Sequence, residues 1–529
     1  MRAQPLVPAV RHAADLGRPF DGLDEGNLME RRIRRLGVFM VLCFVALFLQ
    51  LNNIQILKAN SLANNPQNPH VQAIQRSQPR GDILSADGVT LATSVPTSSG
   101  YYKYQRTYNQ YTATLFSQIV GYDTIFGTRT GVEAEYNSFL QSHTRPAKTI
   151  RDLLVNRTTT DNVTLTINTR LQTQVAAAID NTNPGGNPAQ DGGAVVVNLK
   201  TGAIEAMYSN PVYDPRPLVS QDSAAVLKAY NFLNPRSAES PLVSRTFQFG
   251  FLPGSTFKTV TSSAVYDQQP ALAKVDYPPK DCIDLPQSNR RLCNYGHTSP
   301  LGPEVCGGVL AVTLPQSCDT AFAQLGMALG ATSLNSEAQA FGFNQAIPLD
   351  LPSVGVSNFP TVAQLTNNAP SQAYSAFGQQ DVTATALQMS LVAAGIGNQG
   401  VIMTPHVMAQ IRDSQGNLVE SYIPKPWLTA TSPVTASAVT SLMRSVVTNG
   451  TAAQVGFPAS WNVAAKTGTA ETGPNATLTN DWMIAFAPAN DPKVAVAVVV
   501  PNQPGNDTGA SVSGPPMMTI LGDALAATP

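Results

Sequence analysis

Charged residues are scarce in this chain of 529 residues, since Asp, Glu, Lys and Arg together make up only 13% of it. Globular proteins usually carry about 25%. The formal net charge is −1 at pH 7, so no strong field favours a nucleic acid as a partner. The sequence has no internal repeat or low-complexity tract, and its length allows two or three domains. This composition indicates a globular protein of the secreted or cell-surface kind.

Long hydrophobic runs are rare too, because the chain has only one, LGVFMVLCFVALFLQL at residues 36–51, which fades by residue 57. Such a run can cross roughly 30 Å of hydrocarbon. Arginines crowd just before it, at residues 31–35, and positive charge stays on the cytoplasmic side. The sequence therefore predicts a cytoplasmic tail (1–35), a single transmembrane anchor in the plasma membrane (36–57) and an extracytoplasmic remainder. The alternative is a signal peptide cleaved at Ser61-Leu62-Ala63, but the polar N-terminal segment is too long for an ordinary one.

Cysteine is used only five times. Cys43 lies in the hydrophobic run, and the others stand close together at Cys282, Cys293, Cys306 and Cys318. A zinc site is disfavoured because the tight C-x-x-C pairs of structural zinc are missing, and no metal is expected. An oxidising compartment favours two disulfides, with three pairings open. The sequence predicts that the segment NRRLC runs antiparallel to the segment CIDLP. This pairing favours a disulfide between Cys282 and Cys293 and leaves Cys306 to pair with Cys318.

The rest of the chain divides into two predicted regions. Residues 58–160 are interpreted as a stalk followed by a small, mostly β module, in which Asp87-Gly88 marks a hairpin turn. Residues 161–529 are interpreted as one larger domain, with strand pairs joined at residues 200–202 and 489–491 and Ala-rich helical segments between them. Strands from distant segments would close one antiparallel sheet flanked by helices. The predicted fold class is α+β.

The most informative stretch is GFLPGSTFK at residues 250–258. Pro-Gly stops the preceding structure, and Ser255 then opens an apolar run that predicts a helix. Lys258 stands on the same face of the first turn. A serine becomes a nucleophile when a base removes its proton, and a lysine can be that base when its pKa is lowered by burial or positive neighbours. S-x-x-K occurs once in the chain, and alone it is a weak signal.

A second polar group must stand beside this pair to pass a proton to a leaving amine. The candidates are Ser317 and Asp319 in the sequence SCD, because a short proline-containing turn precedes Ser317 and a small-residue helix follows. Ser333 and Ser460 begin two other S-x-N sequences without that setting. The alternative role of Ser317 is that of a simple helix N-cap.

The third element is Lys466-Thr467-Gly468-Thr469, in the predicted strand WNVAAKTGTAE. Gly468 would let a substrate backbone approach closely. The lysine and the two hydroxyls could hold a carboxylate, and the Thr469 N–H could face an oxyanion. A second K-T-G begins at Lys200, but it precedes the serine and lacks the following threonine. It is interpreted as an ordinary turn.

In this order, S-x-x-K, S-x-D and K-T-G resemble the motif set of penicillin-binding proteins and serine β-lactamases. GGAVVVNLKTGAIEAMYSNPVYDP resembles the strand pair that opens that family's transpeptidase domain, and FQFGFLPGSTFK resembles its lead-in to the serine. Upstream, RGDILSADGVTLA and GVEAEYNSFL resemble the non-catalytic module of class B members. The resemblance runs from about residue 80 to near the C-terminus and is closest to the short actinobacterial type of class B.

This resemblance implies a peptidoglycan D,D-transpeptidase that needs no cofactor, acts on stem peptides and is acylated by β-lactams. It implies roles for residues already singled out: nucleophile Ser255, base Lys258, proton relay Ser317, carboxylate ligands Lys466, Thr467 and Thr469, and oxyanion donors in the N–H groups of Ser255 and Thr469. Asp319 departs from the family's common Asn. A carboxylate there would raise the pKa of Lys258 or pair with it.

Some alternatives remain open. By resemblance, a SEDS-type glycosyltransferase would be the partner that polymerises the glycan. The rival functions are a D,D-carboxypeptidase or β-lactamase, for which no second base is evident, and a non-catalytic β-lactam sensor or division scaffold. Glu133 is either a structural marker of the membrane-proximal module or a solvated helix charge, and the structural role is favoured. His297 is interpreted as a loop histidine rather than a ligand.

Overall fold

The apolar run near the N-terminus forms a continuous helix, α1 (Asp24–Asn52), followed by one π-helical turn, Asn53–Leu57. In the computed structural model, the most apolar stretch of residues 29–57 has a mean hydropathy of 2.0 and none of it is buried. A helix of this length and composition can cross a membrane, and it is the one such helix in the described part of the chain. It lies in a unit of residues 1–71, while residues 72–529 form a second compact unit.

The structure describes residues 24–58, 73–98, 102–144, 158–181, 191–295, 304–472, 477–505 and 507–528. The helices after α1 are α2 (Ser117–Val120), α3 (Gly131–Glu135), α4 (Asn137–Leu140), α5 (Thr169–Asp180), α6 (Ser223–Phe232), α7 (Lys258–Gln268), α8 (Leu310–Gln316), α9 (Asp319–Ala340), α10 (Val362–Leu365), α11 (Ala369–Ser375), α12 (Ala386–Gly397), α13 (Pro433–Asn449), α14 (Gly509–Val512) and α15 (Gly514–Ala527). Shorter 3₁₀ turns are Arg216–Val219, Gly254–Phe257, Pro270–Lys274, Ala453–Val455 and Ala459–Trp461.

The strands, in chain order, are β1 (Ile83–Leu84), β2 (Thr90–Pro96), β3 (Tyr104–Tyr108), β4 (His143–Thr144), β5 (Thr158–Thr159), β6 (Asp161–Leu165), β7 (Gly192–Asn198), β8 (Ile204–Asn210), β9 (Tyr277–Lys280), β10 (Cys282–Asp284), β11 (Arg291–Cys293), β12 (Cys306–Gly308), β13 (Val401–Met403), β14 (Met408–Asp413), β15 (Leu418–Ser421), β16 (Pro426–Thr429), β17 (Ala464–Thr472), β18 (Leu478–Ala487) and β19 (Val494–Pro504).

The central sheet has five antiparallel strands in the order β17-β18-β19-β7-β8. Both predicted hairpins are present, and β19 joins them by pairing with β7, so that Val496 lies opposite Val196. One face of β19 packs against α12, whereas Val496 and its neighbours on the other face pack against α15, and α5 covers β7 and β8 on that same side. Because both faces are covered, β19 is an almost unbroken apolar run. The expected α+β fold, with a sheet closed by distant segments, is confirmed.

A second sheet has six strands in the order β15-β14-β6-β1-β2-β3. The predicted turn at Asp87-Gly88 joins β1 and β2 as an antiparallel pair. β1 also pairs in parallel with β6, and β14 pairs with the other edge of β6. This sheet therefore crosses the predicted boundary between residues 160 and 161, which stays a prediction. Helices α2–α4 lie in the same part of the chain, so the module is less purely β than expected.

Two local details near the candidate motifs differ from expectation. The helix predicted from Ser255 is present, but its first turn, Gly254–Phe257, is 3₁₀, and α7 continues from Lys258. The tighter turn is favoured because Gly254 is wedged against β17 at a φ of 53°. Ser317 follows a helix, α8, rather than a proline-headed turn. α8 forms because its apolar residues are buried, and it ends where Ser317 adopts a left-handed backbone conformation.

Candidate active site

Ser255 lies on a turn that is held from several sides. The Trp482 indole N–H donates to the Leu252 carbonyl at 2.8 Å, which fixes the approach to the turn. A Cβ on Gly254 would come within 2.9 Å of the Thr469 carbonyl, so only glycine lets the turn pack this closely on β17. The Ser255 side chain is mostly buried, at 9% exposure, and faces a cleft. The Ser255 hydroxyl is thus presented from a rigid backbone.

Lys258 is fully buried and points at the second motif. Its Nζ donates to Asp319 Oδ1 at 2.6 Å, to Ser317 Oγ at 3.3 Å and to the Ser317 carbonyl. Burial lowers the pKa of Lys258 below its usual value, although the Asp319 carboxylate opposes the shift. The ring of Phe322, 5.3 Å away, also favours the ammonium form. Burial therefore favours the neutral form of Lys258, and Asp319 and Phe322 favour the ammonium form.

Ser317 stands between two lysines. Its backbone is left-handed, with φ 62° and ψ 34°, at the C-terminal end of α8. Lys466 Nζ donates to Ser317 Oγ at 2.9 Å, opposite the contact from Lys258. Burial, reinforced by the Lys258 ammonium, holds the pKa of Lys466 well below its usual value. Ser317 caps no following helix, so the N-cap alternative is wrong. Its hydroxyl instead connects two amines, which is the geometry of a proton relay.

The K-T-G-T sequence lies on β17, the edge strand of the central sheet. A Cβ on Gly468 would come within 2.8 Å of the Pro253 carbonyl, so this glycine lets the strand pack against the turn that carries Ser255. Thr467 Oγ1 is hydrogen-bonded to Thr451 Oγ1 at 2.6 Å. Thr469 Oγ1 accepts the Gly509 N–H at 3.0 Å. Hydroxyls and N–H groups thus line one wall of the cleft.

A cleft of about 170 Å³ brings together five of the predicted residues, namely Ser255, Ser317, Asp319, Thr467 and Thr469. Lys258 and Lys466 are not among the lining residues, but both donate hydrogen bonds to the Ser317 hydroxyl. A larger cavity of about 500 Å³ between α5 and α15 contains none of these residues. The cleft also has lining residues that the sequence analysis missed, among them Tyr295, Glu304 and Thr508. No motif marks them, because they reach the cleft from segments far apart in the chain.

The alternatives weighed from sequence lie elsewhere. Lys200 sits in the β7–β8 turn and donates to Asn398. Ser333 is within α9, and Ser460 is in the 3₁₀ turn Ala459–Trp461. Glu133 is fully buried between two arginines, so its interpretation as a solvated charge is wrong. His297 lies outside the described residues.

Two disulfides join the four clustered cysteines, and one of them reaches the segment that carries Ser317. They join Cys282 to Cys293, across β10 and β11, and Cys306 to Cys318. These are the pairs favoured by the sequence. Because Cys318 is the middle residue of the S-C-D motif, the second disulfide ties Ser317 to β12. The structure has no cluster of potential metal ligands in the part of the chain it describes.

Comparison with known proteins identifies the family. Residues 192–522 match the penicillin binding protein transpeptidase domain, and residues 80–163 match the penicillin binding protein A dimerisation domain. The chain belongs to the penicillin-binding protein family. It is 33% identical to the peptidoglycan D,D-transpeptidase PbpA of Mycolicibacterium smegmatis over 94% of this chain and 99% of that one. It is 32% identical to PbpA of Mycobacterium tuberculosis over 95% and 100%, respectively.

Solved structures agree with this assignment. Penicillin-binding protein A of M. tuberculosis, as a ceftriaxone acyl-enzyme complex, superposes with a TM-score of 0.75 at 30% identity, covering 86% of this chain and all of that one (100%). Its penicillin G acyl-enzyme complex gives a TM-score of 0.73 at 30% identity, covering 85% and 100%. In this penicillin-binding protein, the cleft containing Ser255 is therefore the candidate site of acylation.

Proposed function

We propose that this penicillin-binding protein is a peptidoglycan D,D-transpeptidase that works through an acyl-enzyme on Ser255. The observation that carries the proposal is the Ser317 hydroxyl, held between Lys258 Nζ and Lys466 Nζ in the cleft that Ser255 lines. Two buried lysines with lowered pKa values and a shared hydroxyl can accept a proton and pass it on. That is the requirement for activating a serine and then protonating a leaving amine.

In the proposed acylation, Ser255 Oγ attacks the carbonyl of the penultimate D-Ala of a stem peptide, and Lys258 takes the hydroxyl proton. The N–H groups of Ser255 and Thr469 stabilise the oxyanion. As the C–N bond breaks, the proton passes through Ser317 to the amine of the departing D-Ala. In the second half, an amine of a neighbouring stem attacks the ester carbonyl and gives a proton to Lys258, which passes it to Ser255 Oγ as the ester C–O bond breaks. No cofactor takes part in either half.

The donor's terminal carboxylate is assigned to the wall formed by β17. Thr467 and Thr469 supply hydroxyl donors, and Lys466 supplies positive charge when it is protonated. β-Lactams mimic the donor, and the acyl-enzyme complexes of penicillin-binding protein A of M. tuberculosis with ceftriaxone and penicillin G support acylation of this chain by β-lactams. In this scheme Asp319 holds Lys258 Nζ beside the Ser317 hydroxyl through their ion pair.

We also propose the setting of the reaction. Helix α1 with its apolar turn would anchor the chain in the plasma membrane once, with the arginines at residues 31–35 on the cytoplasmic side. The disulfides support an oxidising, extracytoplasmic location for residues 72–529. A SEDS-type glycosyltransferase, proposed from family resemblance, would supply the glycan strands that this enzyme cross-links.

Covalent trapping tests the nucleophile. Incubation with benzylpenicillin should add one drug mass to the peptide that contains Ser255, as measured by intact-protein and peptide mass spectrometry. Ser255→Ala should abolish the adduct. Ser333→Ala, which removes a serine from another S-x-N sequence, should leave it unchanged. An adduct on a different residue, or none on folded protein, would overturn the assignment.

The second half-reaction separates a transpeptidase from a hydrolase. A thioester analogue of the donor stem, given together with a primary-amine acceptor, should yield mainly the aminolysis product. If water competed so well that hydrolysis dominated at saturating acceptor, the carboxypeptidase interpretation would be favoured instead.

A further inference from the structure

Asp481 lies directly behind the carboxylate-binding wall. It is on β18, and the register of the central sheet places it opposite Thr469 on β17. Residues directly opposite in an antiparallel pair have side chains on the same face, about 5 Å apart at Cβ. Asp481 is therefore the nearest cross-strand neighbour of the last hydroxyl in the K-T-G-T sequence. None of the three motifs includes it.

The Asp481 carboxyl group is fully buried and only half satisfied. Thr479 Oγ1 donates to Oδ2 at 3.1 Å, while Oδ1 is buried without a hydrogen-bond partner among the described residues. A buried carboxylate oxygen without a donor is costly, and a carboxyl group in that position tends to keep its proton. A protonated carboxyl can donate one hydrogen bond of its own.

The surroundings of Asp481 reinforce this preference. Burial raises the pKa of Asp481 to about 7, and the nearby Asp507 carboxylate adds to the effect, whereas the hydroxyls of Thr479 and Thr469 oppose it. The other titratable groups at this end of the sheet are Tyr295 and Glu471. They are acidic too, so they supply no positive charge to the Asp481 carboxylate. Asp481 therefore changes charge near neutral pH.

Thr469 is the residue through which this change can reach the substrate. Its Oγ1 already accepts the Gly509 N–H at 3.0 Å. A hydroxyl has one proton to donate and two lone pairs to accept with. If Asp481 is ionised, the Thr469 proton is drawn towards it and away from the cleft. If Asp481 is protonated, it donates to the second lone pair of Thr469 Oγ1, and the Thr469 proton is left for the cleft.

We propose that Asp481 is a positioning residue that decides whether the Thr469 hydroxyl donates to the carboxylate of the donor stem peptide. In its protonated form it directs the Thr469 proton to the donor, and in its ionised form it withdraws that proton. This inference rests on the proposed function and adds a specificity element to it: binding of carboxylate-bearing donors weakens as the pH rises through neutrality.

The test separates noncovalent binding from chemistry. Acylation by benzylpenicillin is followed by stopped flow from pH 5.5 to pH 8.5, which gives the dissociation constant of the first complex and the acylation rate constant separately. For the unmodified enzyme, the dissociation constant should rise roughly tenfold across neutral pH, as expected for losing a hydrogen bond to a charged group. Asp481→Asn keeps a side-chain donor at all pH values, so its dissociation constant should stay at the low-pH level.

Two further measurements make the test specific. In Thr469→Val the pH step should be absent, and adding Asp481→Asn should change nothing further, since Asp481 acts through Thr469. The methyl ester of benzylpenicillin, which has no carboxylate, should bind without a pH step. Glu337→Gln is the matched control, because Glu337 is another buried carboxyl group, with a pKa raised by burial to about 8, and it lies outside the cleft.

The outcomes are distinct. A pH step of equal size in the unmodified enzyme and in Asp481→Asn would refute the positioning role while leaving Ser255 acylation intact. The positioning role is equally refuted if Thr469→Val keeps the step, whether or not the Asp481 variant folds. Absence of acylation at every pH would instead refute the proposed function itself.

Discussion

At the scale of single residues, the site places two buried lysines beside one carboxylate. Asp319 Oδ1 is 2.6 Å from Lys258 Nζ, while Lys466 Nζ reaches the shared Ser317 hydroxyl. An opposite charge at this distance stabilises the ammonium form. Burial acts the other way and is the larger effect on the pKa of Lys258. Asp319 therefore opposes the effect of burial on Lys258 and keeps the pKa of Lys258 from falling further.

Asp319→Asn should shift the acylation pH profile to lower pH. Removing the carboxylate takes away the interaction that raises the pKa of Lys258, so the neutral, basic form of the lysine is populated at lower pH. Second-order acylation rate constants with benzylpenicillin, measured from pH 5 to pH 10 for both proteins, report the shift.

Asp381→Asn, which alters an exposed carboxylate on the chain segment before α12, is a suitable control and should leave the profile unchanged. An unmoved profile in Asp319→Asn would mean that the ion pair does not govern the base, and Asp319 would then be a structural residue at the start of α9.

The motif residues could be predicted from the sequence, while their supporting residues could not. Ser255, Lys258 and Lys466 carry chemistry that needs fixed spacings, and these spacings are visible in the chain. Asp481 and Glu304 have no such spacing, since they enter the site by strand register and by the course of a loop. The sequence showed that Asp319 departs from the family pattern, but only the structure pairs it with Lys258.

At the scale of secondary-structure elements, the sequence predicts the strand pairs whose contacts join residues close together in the chain. The β7–β8 and β18–β19 hairpins follow from alternation and turn residues. The parallel pairing of β1 with β6 and the antiparallel pairing of β6 with β14 join segments far apart in the chain and have no local signature. α8 was missed for a related reason, because Leu310 and Leu314 are helical only with the core behind them.

The same argument applies to the charged core of the module around α3. Glu133 accepts from Arg80 Nε and Arg106 Nε, each at 2.6 Å; the side chains of Glu133 and Arg106 are buried, and that of Arg80 is 10% exposed. Burial alone would raise the pKa of Glu133, but Arg106 and Arg80 outweigh it and hold that pKa below its usual value. The network joins α3 to β3 and to the segment before β1. It is a structural feature of the module, distant in sequence from every catalytic motif.

Glu133→Gln should destabilise the protein by about 3–5 kcal/mol, the usual effect of removing one partner from a buried ion pair. Urea denaturation of residues 72–529 at pH 7 measures this. Because the pKa of Glu133 is depressed in the folded state, its stabilising contribution should be lost as the pH falls through that pKa, and the variant should lack this loss.

The control is Asp284→Asn, which breaks the exposed pair with Arg291 and should have no measurable effect. If Glu133→Gln proved as harmless as Asp284→Asn, the buried network could not be what holds α3 against the sheet.

At the scale of the whole molecule, the candidate membrane helix and the candidate catalytic residues lie in different units of the chain. Every candidate catalytic residue, both disulfides and the two large sheets lie in the unit of residues 72–529. The long apolar helix lies in the unit of residues 1–71, and none of its most apolar stretch is buried by protein. An apolar helix of this length that protein does not bury has the length and composition of a membrane span. The two functions should therefore be separable by truncation.

A variant that begins at Gln72 should be released from membranes and should be acylated by benzylpenicillin at the rate of the full-length protein, because the cleft residues and their supports are all retained. The full-length protein should remain in the membrane fraction through alkaline carbonate washing. Its intact mass should include residues 1–71, since an anchor is kept whereas a signal peptide is removed.

Ser255→Ala in the truncated variant provides the background for the acylation assay. A mature protein that begins at residue 64 and is recovered in the soluble fraction would support cleavage after Ala63 and refute the anchor. A truncated variant that folds but is not acylated would show that the first unit takes part in catalysis.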